Sequence, residues 1–185
     1  PELVGSSEWM KVVWRNFEAD IRSQIHPDGS HEEMSPIYEF TVLWSLLRVS
    51  DLARQRGVEI PPPVLEAMGS MNRYLAFICK PDRTLPAFND GDRINLFRAY
   101  ELVARWQNQR DVLWIVTGGK EGDKPASPNF FAPYSGLAIF RTDWGPKTQS
   151  LLLDAGPLGT SHQHLDALQV EYSAFGQDFL VEPGR

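Results

Sequence analysis

The chain has 185 residues, 42% of them hydrophobic and 11% aromatic, which suffices for one sizeable core or two small ones and excludes a disordered tail. With 18 Lys and Arg against 24 Asp and Glu, the net charge of -6 excludes a basic nucleic-acid footprint and argues against an anionic membrane surface. The single Cys79 excludes an internal disulfide framework, no apolar run reaches the roughly 18 residues of a membrane span, and a start at Pro1 without Met or signal peptide suggests an excised piece of a larger protein.

The first two thirds read as helices. Trp9, Val12, Val13, Phe17, Ile21 and Ile25 recur at three- and four-residue steps, and Pro27-Asp28-Gly29-Ser30 stops that run with turn chemistry. A second helix starts at Ser35 as N-cap with Pro36 at its first position and ends before Gly57. Pro61-Pro62-Pro63 precedes a third, marked by Leu65, Met68, Met71, Leu75 and Ile78. After the turn Lys80-Pro81-Asp82-Arg83 and an irregular stretch, Asp92 is read as the cap of a fourth helix continuing to Trp114.

At Gly118 the pattern changes. Residues 119–133 have the Gly, Lys, Pro and Ser content of a linker. Beyond it, 137–141, 150–154 and 168–172 read as strands, and 179–181 follow a Gly176-Gln177 turn with Gly first, as a type II′ hairpin prefers. Helices first and strands second predict an α+β chain: a helical domain at 1–118, a linker at 119–133 and an antiparallel β domain beginning at 134–185.

The densest polar constellation is Gly159-Thr160-Ser161-His162-Gln163-His164-Leu165-Asp166. Two His one residue apart in an extended segment share a side, where imidazoles can exchange protons or ligate a metal. Residues 168–175 and 178–182 read as a hairpin that brings Glu182 back to this motif, so His162, His164, Asp166 and Glu182 are expected together. The alternative is a polar loop with ordinary hydrogen bonds. A cupin metal motif is also suggested by Gly156 and His162-x-His164, but Leu168 and Gln169 stand where it needs Glu.

A second constellation, Asp28 to Tyr38, places His31 beside Glu32 and Glu33 in the turn before a helix, where a carboxylate can orient a general base and the ring can reach solvent. The same acids also suit a helix N-terminus. A third, Leu85 to Asp92, is either a substrate loop containing Asn89 or a capped turn. Arg83, Arg93 and Arg141 are candidates for sugar carboxylates or sulfates, or ordinary structural charges. Trp9, Trp14, Trp44, Trp106 and Trp114 suit sugar stacking or, at helical spacing, a core.

Taken in order, Asp28–Tyr38, Lys80–Gly91, Gly136-Leu137-Ala138-Ile139-Phe140-Arg141 and His162-Gln163-His164-Leu165-Asp166 followed by Leu180-Val181-Glu182-Pro183-Gly184 resemble the heparinase II/III-like polysaccharide lyases. The resemblance covers nearly the whole chain and implies an (α/α) toroid followed by the start of a β-sandwich. It also implies β-elimination on an acidic, uronic-acid-containing polysaccharide such as a glycosaminoglycan or alginate, in the periplasm or secreted if bacterial. His31 and Glu33 match the toroid active-site motif, and His164 with Glu182 matches the pair that binds zinc in some members. Asn89, Arg93, Arg141 and His162 become candidate substrate contacts. Two positions depart from the family: Phe88 stands near where the catalytic Tyr is expected, leaving Tyr74 or Tyr134, and Glu182 replaces a commoner Asp. A non-catalytic glycan-binding relative is the competing reading.

Overall fold

A computed structural model of the protein describes residues 5–158, 160–165 and 167–184. Five helices come first: α1 (Ser6–Gln24), α2 (Pro36–Gln55), α3 (Pro62–Ile78), α4 (Phe97–Trp106) and α5 (Arg110–Thr117). Five strands follow: β1 (Phe130–Ala132), β2 (Leu137–Arg141), β3 (Ser150–Asp154), β4 (Gln169–Ala174) and β5 (Gln177–Leu180). They form one antiparallel sheet in the order β1-β2-β3-β4-β5.

α3 is the centre of the helical part. It packs against α1, α2, α4, α5 and β1, and its Met68, Met71, Leu75 and Ile78, picked out by their spacing, are fully buried. α2 begins where Ser35 and Pro36 indicate, but the Ser35 hydroxyl makes no capping bond and is buried without a partner; its carbonyl accepts Glu39 N–H at 3.0 Å instead.

Four sequence expectations change. The fourth helix starts at Phe97, not Asp92, because Leu85 N–H bonds Ile94 C=O at 2.9 Å and holds that stretch against the turn before it. It also stops at Trp106: Asn108 is left-handed (φ 55), and the Gln107 and Gln109 side chains bond Leu65 C=O and Gly69 C=O on α3. The supposed linker ends in β1, which pairs Phe130 with Ile139. The last hairpin turns at Phe175-Gly176, both left-handed (φ 55 and 81), which is a type I′ geometry.

Alternation along the strands turns Leu137, Ile139 and Leu152 towards the helices. Polar groups join the two parts as well. Arg141, expected as a substrate contact, is 7% exposed and gives its guanidinium to Phe77 C=O at 2.7 Å and Cys79 C=O at 2.5 Å at the end of α3. Lys80, just beyond, meets Glu171 of β4 at 2.9 Å and Asp178 of β5 at 3.1 Å.

Candidate functional site

Helical loops and β-side turns meet along one rim. From the helical side, the turn at Ala87–Gly91 enters a space where a Cβ on Gly91 would stand 2.6 Å from Phe88 O. Gly184 packs on it from the β side, since a Cβ there would stand 2.5 Å from Gly91 O. That close approach carries Glu182, two residues earlier, to the same rim. Asn89 is fully buried in a left-handed conformation (φ 60); its amide donates to Met34 C=O at 2.8 Å and its carbonyl accepts His164 N–H at 2.9 Å. Asn89 therefore braces the loops rather than contacting substrate, a correction imposed by its burial.

Asp90 organises the cluster. Its two oxygens meet His162 Nδ1 at 3.0 Å and His164 Nε2 at 3.1 Å, and its N–H bonds His162 C=O at 2.9 Å. Hydrogen bonds from His162, then His164, hold the Asp90 carboxyl below its usual range. The other side of His164, Nδ1, lies 3.6 Å from Glu182. The His164 ring thus stands between two carboxylates, bonded to Asp90 and facing Glu182. The His162 ring stacks on Tyr38 of α2 at 3.7 Å and 14°. The extended His-x-His geometry is not realised: His162 is left-handed (φ 60), and the two rings converge because Asp90 gathers both. Asp166 lies outside the described residues.

His31 is not open to solvent. Ile25 and His31 pair across the Pro27–Ser30 turn, leaving His31 only 3% exposed. Its Nδ1 accepts Glu33 N–H at 3.2 Å and its Nε2 faces Gln24 Oε1 at 3.3 Å, so both nitrogens are used and the ring is neutral. Burial lowers its pKa, against the opposing pull of Glu33 and Glu32. The Glu33 carboxylate stays 4.0 Å away. A ring committed in this way has neither nitrogen turned to solvent.

The neighbouring histidine, which the sequence reading passed over, is the more open one. His26 Nδ1 lies 3.0 Å from Ser30 Oγ, whose hydroxyl donates to Asp28 at 2.7 Å. The Ser30 lone pair must then accept from Nδ1–H, which in the neutral ring leaves Nε2 with its lone pair. The His26 ring lies parallel to that of Tyr134, at 6.0 Å and 17°, and Tyr134 is 51% exposed. Asp28 fixes this arrangement by accepting Tyr134 N–H at 2.7 Å and Ser135 N–H at 3.2 Å. The β1–β2 turn packs on Gly156, where a Cβ would stand 2.0 Å from Ser135 O. Gly156 and His164 both line one cavity of about 190 Å³.

Other candidates are already engaged. Tyr74 is buried, donates to Ser135 Oγ at 3.2 Å, and has its pKa pushed well up by burial and then by Glu39. Arg93, expected on substrate, is held by Asp82 and by Asp178 at 2.6 Å, so its charge is already met. For zinc, His164 and Glu182 supply two donors, and among the described residues no group of three or more His, Cys, Asp or Glu is arranged to hold a metal. The described residues therefore do not make a metal site by themselves.

A family model described as Heparinase II/III N-terminus matches residues 1–114. The chain belongs to this family. Over its full length it is 25% identical to a heparin-sulfate lyase of Bacteroides stercoris, of which it spans 28%. It is 24% identical to one of Pedobacter heparinus, of which it spans 29%. Among solved structures, a heparan sulfate lyase from Pedobacter heparinus matches with a TM-score of 0.88 at 24% identity, over 100% of this chain and 30% of that one. A heparinase III structure matches at 0.85 and 18% identity, over 97% of this chain and 31% of that one. The chain thus spans under a third of these relatives, and the structural likeness is one of fold.

Proposed function

We propose that this heparinase II/III family chain forms part of a polysaccharide lyase that cleaves a uronic-acid-containing glycan by β-elimination. The observation that carries the reading is the cluster of Asp90, His162, His164 and Glu182 where the helical and β parts meet; His26 and Tyr134 form a second pair, held by Asp28 on the β1–β2 turn that packs on Gly156. Elimination needs three things: a neutralised uronate carboxylate, a base for the C5 proton and a proton for the leaving oxygen. His164 meets the uronate carboxylate by exchanging Glu182, which stands 3.6 Å from its Nδ1, for the substrate. His26 Nε2 is the free base, and the exposed Tyr134 hydroxyl beside it returns a proton to the glycosidic oxygen.

The finer architecture follows the same reading: the helices are a segment of an (α/α) toroid and the sheet is one leaf of a sandwich. Its support is the outer face, where Phe131 and Phe140 are 60% and 43% exposed and touch edge to face at 5.4 Å. An exposed aromatic face of this kind is what a second sheet would cover.

The test is ultraviolet absorbance of the unsaturated uronate during incubation with heparan sulfate and other uronate glycans. Activity is expected, with losses of about 10²–10⁴-fold in both His26→Ala and Tyr134→Phe and none of that size in His31→Gln. Binding without any absorbance rise would favour the glycan-binding alternative, which the absence of a Tyr near Phe88, where the family's catalytic Tyr is expected, supports. Undiminished cleavage by His26→Ala would move the base elsewhere.

A further inference from the structure

We propose that a second cavity, between α5, the turn at Lys80–Arg83 and the β2–β3 hairpin, binds an anionic carbohydrate substituent, a sulfate or a carboxylate. It measures about 400 Å³, the size of a small-ligand site. It is separate from the histidine rim. The cavity lies at the Arg141 and Ser150 ends of β2 and β3, whereas the loop bearing His162 and His164 leaves the Asp154 end of β3. At about 3.3 Å per residue, that five-residue strand sets the two sites on the order of 15 Å apart.

The lining carries charge that the described residues do not balance with a carboxylate. Lys80 is satisfied by Glu171 and Asp178, and Lys124 by Asp143 at 3.0 Å. Arg83 and Arg141 also line the cavity, and among the described residues neither meets a carboxylate; their hydrogen-bond partners are carbonyls, Val116 for Arg83 and Phe77, Cys79 and Pro128 for Arg141. Burial draws the Arg141 guanidinium down to about 10, the direction expected of a cation without a counter-ion.

The wall is also rich in donors. Trp144 buries its indole N–H without an acceptor, and Trp114 packs against it at 6.2 Å. Arg, Lys and indole groups donate and do not accept, so the complementary ligand is one that only accepts. Sulfate and carboxylate are such groups, and the paired indoles supply a rigid apolar wall for the sugar that bears them. This inference concerns binding and stands whether or not the histidine rim eliminates.

The test is tryptophan fluorescence of the protein titrated with sodium sulfate, and separately with sodium glucuronate, against chloride at constant ionic strength. Saturable change is expected with at least one. Arg83 is exposed, so Arg83→Gln should fold and weaken half-saturation about tenfold. Lys124→Gln, which leaves Asp143 unpaired at the cavity, should weaken it too, while Arg15→Gln on the exposed side of α1 should not. Saturation by sulfate alone or glucuronate alone assigns the substituent, and by both supports the shared chemistry. No saturation with either, or wild-type curves from both Arg83→Gln and Lys124→Gln, would overturn the proposal.

Discussion

Two polar links tie the helical part to the β part at different depths. Lys80 meets Glu171 at 2.9 Å with side chains 2% and 1% exposed. Asp90 meets His162 and His164 at 3.0 and 3.1 Å with side chains 32%, 32% and 34% exposed. In the buried link, Glu171 is pushed up by burial against the pull of Lys80, and its second oxygen accepts Ala87 N–H at 3.3 Å. Every group there has the others as its only solvent. In the exposed link, water shares the work, so the same charges can turn to an incoming ligand. Depth separates a brace from a site.

The largest effect that would break this comparison is at Lys80. Removing one member of a buried pair leaves a charge without a partner, so Lys80→Ala should lose about 3–5 kcal/mol in urea unfolding. The loss should shrink as pH falls, because Glu171, already raised, then takes up a proton. Asp90→Ala, at a depth where ion pairs contribute about 0–1 kcal/mol, should leave stability nearly unchanged. Equal losses in the two variants would end the distinction.

The sequence made the helices and strands legible because their periods differ, and β2 and β3 run over the residues their alternation marked. It also placed Glu182 beside His164, since a hairpin returns the chain to the residues just before it; the observed separation is 3.6 Å. Asp90 escaped notice. Its role depends on how Asn89 and Gly91 pack against Met34 and Gly184, contacts between residues far apart in the chain. The choice between His26 and His31 was equally hidden, because five residues apart in one turn they look alike. Only the Ile25–His31 pairing buries one and leaves the other beside Tyr134.

His31 sharpens the role of depth. Its pKa is lowered in the folded state by burial from 6.5, so the unfolded chain binds the proton first as pH falls. Its contribution to stability is full above 6.5 and is lost as pH drops from there towards the folded value. One proton bounds the slope at about 1.4 kcal/mol per pH unit. Urea unfolding across that window should give a shallower dependence for His31→Gln than for the wild type. Identical slopes would mean that His31 is as solvated as the histidines of the rim.

The smallest effect tests what holds His162 in place. Its ring lies 3.7 Å from Tyr38 and nearly parallel, while Asp90 takes its Nδ1. Aromatic pairs of this kind contribute about 0.5–1.5 kcal/mol beyond the area they bury. A double-mutant cycle with Tyr38→Leu and His162→Ala should therefore show a coupling of that size. The pair is part exposed, so most of each single loss should disappear once the partner is gone. If His162 is held by Asp90 alone, the coupling falls to zero, and the same cycle run between His162→Ala and Asp90→Ala carries it instead. That result would make α2 a bystander to the rim, with the 87–91 turn alone setting the position of His162.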